Sequence, residues 1–131
     1  LAGSAGNTAT QSAVLVIRGL AVGEIDLRAL WRVVLRESGM GIALGVLLGL
    51  VGGIIAYFFG NDPRLFVAVS IAFMLSIFTA NIVGAVLPML FKRLGFDPAI
   101  TSGPAITTIL DITSLTIYFA VAQAVFNLST G

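Results

Sequence analysis

The chain has 131 residues, of which 58% are hydrophobic and 10% charged, with a formal net charge of +1 and a mean hydropathy of +1.08. A soluble domain of this length would need a more charged surface, so the composition indicates a membrane protein, and no basic run with interleaved aromatic residues suggests nucleic-acid binding. The chain contains neither cysteine nor histidine, which excludes disulfides, thiol nucleophiles and metal ligation through these side chains.

The opening segment, residues 1–21, is the most polar of four predicted membrane spans, because Ser, Thr, Asn and Gln residues dilute its apolar ones. We expect it to be a transmembrane helix lined by polar groups, with Arg18 near its end. The chain begins among small and apolar residues, without an initiator methionine or a signal-peptide pattern. This start predicts a fragment whose parent protein continues upstream.

The next segment, residues 24–37, has the pattern of an amphipathic helix. Charged side chains recur every four residues on one face, and apolar side chains fill the other, with Trp31 as an anchor. We expect this helix to lie in the membrane interface; a solvated linker helix is the alternative. The charged residues are Glu24, Arg28, Arg32 and Arg36.

Two uncharged runs follow, residues 39–59 and 65–91, each long enough to cross a bilayer as a helix. Glycine recurs every four positions along the first run, a spacing that lets transmembrane helices approach each other closely. It predicts helix packing through Gly41, Gly45, Gly49 and Gly53. In the second run we expect Asn81 to make an interhelical hydrogen bond, with contact to a transport pathway as the alternative.

The last span, residues 99–126, follows Asp97-Pro98, a typical helix start, and carries an acidic residue near its centre. The helical repeat predicts one polar stripe, made of Thr107, Asp111, Ser114 and Tyr118. Just before it, Gly103-Pro104 frees backbone carbonyl oxygens and predicts a kink. Such oxygen atoms suit Mg²⁺, Ca²⁺, Na⁺ or K⁺; the alternative is a protonated Asp111 inside the bundle or in a proton relay.

A single intramembrane carboxylate per chain provides little negative charge for binding a divalent cation. We therefore expect a two-fold dimer that brings two copies of Asp111 together near its axis. Because Mg²⁺ gives up its water reluctantly, such a pair would hold the ion through its hydration shell.

The basic residues predict the orientation of the chain. All of them except Arg64 lie in or near segments 23–38 and 92–98. The positive-inside rule therefore puts these two segments in the cytoplasm, and both ends of the chain and the loop 60–64 on the outside of the cell membrane.

Four stretches of the sequence carry a family resemblance: GSAGNTATQSAVLVIRGLA (3–21), LRESGMGIALG (35–45), ANIVGAVLPMLFKRLGFDPAITSGP (80–104) and TTILDITSLTIYF (107–119). With the motifs GNxxxQSA and KRLGxDPA, the chain resembles the transmembrane domain of the MgtE magnesium channels nearly from end to end. The resemblance implies that residues 1–131 form helices two to five of a five-helix domain. The expected fold is an all-α transmembrane bundle, homodimeric, with the pore on the two-fold axis.

The resemblance also implies a set of site residues. Asp111 recognises hydrated Mg²⁺, the backbone of Thr107 contributes, and Glu37 binds a cation at the cytoplasmic mouth or else pairs with neighbouring arginines. The pore-lining residues are Gly6, Asn7, Gln11, Ser114, Gly103 and Pro104. Many family members carry Asn-Pro where this chain has Gly103-Pro104.

The function implied by the resemblance is a passive Mg²⁺ channel, with Mn²⁺, Co²⁺, Ni²⁺ or Ca²⁺ as other candidate ions. Its partners are a second copy, the bilayer and, in the parent chain, upstream cytosolic N-terminal and CBS domains. An exchanger coupled to Na⁺ or H⁺ through the same site is the alternative. A non-transporting assembly or an intramembrane enzyme is disfavoured, because no second acid, histidine or activated nucleophile accompanies Asp111.

Overall fold

The structure, a computed structural model, describes residues 1–128, and the side chains of all of these except residues 101, 102 and 128. It consists of four α-helices joined by short connections, which confirms the predicted all-α fold. The helices are α1 (Ala2–Ala21), α2 (Leu30–Gly60), α3 (Pro63–Arg93) and α4 (Pro98–Leu128), and a 3₁₀ turn (Leu27–Ala29) precedes α2.

Three helical segments within the described residues are long and apolar enough to cross a membrane: Leu27–Gly60, Pro63–Arg93 and Gly103–Asn127. Helix α1 forms over the predicted range, but its Ser, Thr, Asn and Gln residues make it too polar to join this group. That α1 also crosses the membrane stays a prediction.

Helix α2 differs from the sequence prediction. An interfacial helix at residues 24–37 was expected to be separate from a span at residues 39–59, but residues 30–60 form one continuous helix. The Ser38-Gly39 step between the two segments does not interrupt it. A glycine inside a helix costs only about 1 kcal/mol relative to alanine, less than the cost of leaving backbone hydrogen bonds unmade.

The connection between α2 and α3 is built from local signals. Asn61 adopts the left-handed conformation (φ 51°) and donates its backbone N–H to Tyr57 O at 2.8 Å, which ends α2. Asp62 Oδ1 then accepts a hydrogen bond from the backbone N–H of Arg64 at 2.9 Å, and Pro63 occupies the first turn of α3.

The start of α4 repeats this arrangement. Asp97 Oδ1 accepts from the backbone N–H of Ala99 at 2.9 Å, and Pro98 is the first residue of the helix. This confirms the helix start predicted from Asp97-Pro98. Both helices therefore begin where a short acidic side chain satisfies a backbone donor that has no partner within the helix.

Helix α3 packs against all three other helices, and its contact with α2 runs along the glycines spaced four apart. A Cβ atom added at Gly45 would lie 2.9 Å from Met74 O, and one at Gly49 would lie 2.7 Å from Ser70 O. Gly41 and Gly53 are likewise buried against α3. The two backbones are therefore too close together for a side chain at these positions.

Helix α1 packs on α3 and α4 through a row of alanines. Ala5, Ala9 and Ala13 are buried together with Ile77, Ile106 and Leu110. A Cβ atom added at Gly84 of α3 would lie 2.8 Å from Ala9 Cα. The small residues on both helices allow this close approach. The opposite face of α1 is exposed and mixed, with the polar Asn7 and Gln11 followed by the apolar Val14 and Leu15.

Candidate functional site

Asp111 lies near the middle of α4 on its exposed side. The next residue, Ile112, is 64% exposed, whereas the preceding Leu110 is fully buried. The carboxylate of Asp111 makes no hydrogen bond or ion pair with the part of the chain that the structure describes. An ionisable group with no partner inside an apolar helix is costly in hydrocarbon, so this face requires water or a further protein surface.

The predicted polar stripe on α4 is divided by the structure. Thr107 and Asp111 are exposed, but Ser114 is only 1% exposed, and its Oγ atom has no hydrogen-bond partner among the described residues. The reason is that Ile106, Leu110 and Ser114 follow one another at four-residue steps and form one buried row. Ser114 therefore packs inside the bundle and does not share the exposed face of Asp111.

Helix α4 runs without interruption through Gly103 and Pro104, both of which are exposed. The hydroxyl group of Thr107 donates to Pro104 O at 3.0 Å and lies 3.4 Å from Gly103 O. The hydroxyl group of Thr108 also donates to Pro104 O at 3.0 Å. The carbonyl oxygen of Pro104 thus accepts hydrogen bonds from two threonine hydroxyl groups. These two threonines are exposed and lie about one helical turn before Asp111.

On α1, the pore-lining candidates Asn7 and Gln11 are exposed, and Gly6 is half-buried. They lie outside the row of alanines that packs against α3 and α4. Helix α1 packs directly against α4. The exposed Asn7 and Gln11 therefore lie on a helix that is a direct neighbour of the helix that carries Asp111.

Glu37, predicted at the cytoplasmic mouth, is in the interior of the bundle. It is 1% exposed, and its Oε2 atom accepts a hydrogen bond from Ser12 at 2.6 Å. Its Oε1 atom pairs with the guanidinium of Arg36 at 3.0 Å. Both oxygens of the Glu37 carboxylate have partners and the residue is buried, so this structure does not present it to a cation at the mouth. Its contact with Arg36 agrees with the alternative, in which Glu37 pairs with a neighbouring arginine.

Asn81 is 2% exposed, and its Oδ1 atom lies 2.9 Å from Ser12 Oγ, which confirms the interhelical hydrogen bond expected of it. Ser12 itself was not identified from the sequence as a functional residue. Its only signal is a hydroxyl group beside Ala13, in the row of small residues on α1.

One copy of the chain does not complete a metal site from acidic side chains. Within residues 1–128, no three Asp or Glu residues come close enough together to hold an ion. Asp111 therefore offers a single carboxylate on an exposed face.

A family model described as a divalent cation transporter, MgtE, matches residues 1–121. The chain belongs to the MgtE family. Three proteins named magnesium transporter MgtE are similar to it, each over 94% or 95% of the chain. They come from Thermus thermophilus (46% identical), Enterococcus faecalis (38%) and Bacillus subtilis (36%).

The aligned region covers 27% or 28% of each of these MgtE relatives, so the chain corresponds to just over a quarter of their length. Family membership and the three apolar helices make it part of a multi-pass membrane protein. The family is one of ion transporters, which supports a function other than catalysis.

Proposed function

We propose that the parent protein is a Mg²⁺-selective channel formed by two copies of this chain, with Asp111 of each copy at the selectivity site. The observation that carries the proposal is the exposed, unpartnered carboxylate of Asp111 at the centre of an apolar helix. The names of the MgtE relatives supply the ion, because each is called a magnesium transporter.

The chemistry of the exposed face favours a hydrated ion. Mg²⁺ at a protein site usually keeps several of its waters, which are held by one or two carboxylates. Two copies of Asp111 across a two-fold axis would supply this arrangement, and the exposed hydroxyl of Thr107, one turn earlier on α4, can accept a hydrogen bond from the same waters. A second copy also covers the face that is too polar for lipid.

The site is tested by Asp111→Asn in the full-length parent protein reconstituted into liposomes. Loss of both carboxylates should reduce Mg²⁺ uptake about tenfold or more, the effect typical of groups that orient a metal's ligands. Asp26→Asn is the matched control, because Asp26 is exposed and its side chain caps no helix. Unchanged uptake in Asp111→Asn would exclude this carboxylate as the selectivity site.

The two-fold arrangement is tested by cross-linking. A single cysteine at position 111 should be joined to its counterpart by a short bifunctional thiol reagent, whereas one at Ile112, on the next face of α4, should not. The segment contains no other cysteine. Equal cross-linking at both positions, or none at position 111, argues against a pair of Asp111 carboxylates at the axis.

Electrical recording separates the channel from the coupled exchanger. Passive conduction should give Mg²⁺ currents in planar bilayers that follow the membrane potential. Uptake that instead requires a Na⁺ or H⁺ gradient, without such currents, would assign the same site to an exchanger.

A further inference from the structure

A buried hydrogen-bonded cluster joins α1, α2 and α3. Ser12 Oγ of α1 lies 2.6 Å from Glu37 Oε2 of α2 and 2.9 Å from Asn81 Oδ1 of α3. The exposed fractions of these three residues are 4%, 1% and 2%. Arg36 Nη2 donates to the second oxygen of the carboxylate, Glu37 Oε1, at 3.0 Å. We call Ser12, Glu37 and Asn81 the three-helix cluster.

The donors and acceptors of this cluster can be assigned from its geometry. A serine hydroxyl has one hydrogen, so Ser12 can donate to only one of the two oxygens beside it. The Nδ2 atom of Asn81 is buried without a hydrogen-bond partner in the described part of the chain, while its Oδ1 atom faces Ser12. Reversing the amide lets Asn81 donate to Ser12 and Ser12 donate to Glu37, which gives every hydrogen between the three side chains an acceptor.

The cluster is built into the packing of α2 and α3. A Cβ atom added at Gly41 would lie 3.0 Å from Asn81 Nδ2 and 3.1 Å from Phe78 Cα. Gly41 follows Glu37 by one helical turn, so the same face of α2 presents the carboxylate and leaves room for the amide. Glycine at this position therefore contributes to the cluster as well as to helix packing.

The contacts that hold α1 in place are otherwise apolar, apart from a hydrogen bond that Lys92 Nζ of α3 donates to Leu20 O near the C-terminal end of α1, at 3.2 Å. Its buried face consists of the alanine row followed by Val16 and Leu20, and the burial of apolar side chains constrains the rotation of a helix less sharply than a hydrogen bond does. Hydrogen bonds do fix it, because they weaken steeply with distance and angle. A buried carboxylate that lost its donor would be strongly destabilised, so Ser12 is held at one depth and one rotation.

We propose that Glu37 is a positioning residue for the conduction path. Through Ser12 it fixes the rotation of α1, and so the placement of the exposed Gln11 and Asn7. Gln11 is the residue next to Ser12 and lies about 100° around the helix from it. This inference rests on the proposed function, since it assigns these exposed residues to the ion pathway.

The positioning role is tested first by measuring where α1 lies. Spin labels are attached to cysteines introduced at two exposed positions, Gln11 of α1 and Leu47 of α2, in the full-length protein. Ser12→Ala and Glu37→Gln should shift or broaden the distance distribution between the labels. Ser76→Ala is the matched control, because Ser76 is fully buried on α3 and its hydroxyl has no partner. Unchanged distributions in both cluster variants would overturn the proposal.

Transport kinetics supply the second readout, in proteins that retain Gln11. Ser12→Ala should raise the apparent KM for Mg²⁺ several-fold, with a smaller change in maximal rate, because displaced Gln11 and Asn7 side chains would bind the hydrated ion less well. Ser76→Ala should leave both values unchanged. An altered KM with an unchanged label distance would also overturn the proposal, because the effect would then not pass through the position of α1.

The two hypotheses fail in different ways. The label distances do not depend on transport, so they report on Glu37 even if Asp111→Asn shows that the selectivity site lies elsewhere. Conversely, label distances that are insensitive to Ser12→Ala leave the Asp111 result intact.

Discussion

At the scale of single residues, short polar side chains decide where helices begin. Asp62 and Asp97 each accept a hydrogen bond from a backbone N–H in the first turn of the following helix, and each precedes a proline. These contacts depend only on neighbours in the sequence. For this reason the start of α4 could be predicted from the Asp-Pro pair alone.

The cap at Asp62 gives the first prediction at this scale. Asp62→Ala removes the acceptor for the backbone N–H of Arg64 and should lower the free energy of unfolding by about 1 kcal/mol. Asp62→Asn keeps a side-chain oxygen at the same place and should retain most of that stability. Chemical unfolding of the purified protein in detergent compares the two. Equal losses in both variants would mean that the hydrogen bond does not stabilise α3.

Asp111 and Glu37 show the limit of residue-scale reasoning. Both are acidic residues in or beside predicted spans, and both were candidates for contact with a cation. The structure leaves one exposed without a partner and buries the other against Ser12 and Arg36. The sequence alone carries no signal that separates them, because the partner of Glu37 is 25 residues away on another helix.

At the scale of whole elements, α2 and α3 share the most extensive helix contact. The glycines of α2 recur every four residues, so they fall on one face and let the carbonyl oxygens of α3 approach. The period of four indicated a packing face. It did not indicate that the partner is α3, because a row of small residues fits any helix with a complementary surface.

The second prediction concerns this helix pair. Gly49→Ala would place a Cβ atom 2.7 Å from Ser70 O, so the two backbones must separate, and the free energy of unfolding should fall by about 1–3 kcal/mol. Gly39→Ala, on the same helix but with nothing within 4 Å of the added atom, is the matched control.

The control should be neutral or should stabilise α2 by about 0.4–1 kcal/mol, because alanine restricts the unfolded chain. Thermal unfolding in detergent measures both variants. A Gly49→Ala protein as stable as the control would show that the α2–α3 contact has room to adjust.

At the scale of the whole molecule, the 31-residue helix α3 separates the connection that precedes it from the connection that follows it. The connections at residues 61–62 and 94–97 therefore lie on opposite sides of the bundle. The concentration of basic residues near residues 92–98 and 23–38 gives the expected sidedness, with these segments in the cytoplasm.

The third prediction tests that sidedness. In intact cells, a cysteine at Arg64 should react with a membrane-impermeant thiol reagent, and one at Leu94 should react only after the cells are opened. Both positions are exposed, and the segment has no native cysteine to interfere. The reverse labelling pattern would place the connection between α3 and α4 outside the cell.

The sequence by itself determined the helical class, the approximate ends of α1, α3 and α4, the packing face of α2 and the resemblance to a transport family. These features follow from uncharged runs, local capping residues and short motifs, all of which act between neighbours in the chain. The tertiary structure decided which face of each helix is covered. Residues 30–37 became part of α2 and did not form a separate interfacial helix. Ser114 is buried in the same row as Leu110, and Glu37 is buried in the three-helix cluster. A helical repeat fixes which residues share a face, but only packing against a specific neighbour determines whether that face meets protein, lipid or water.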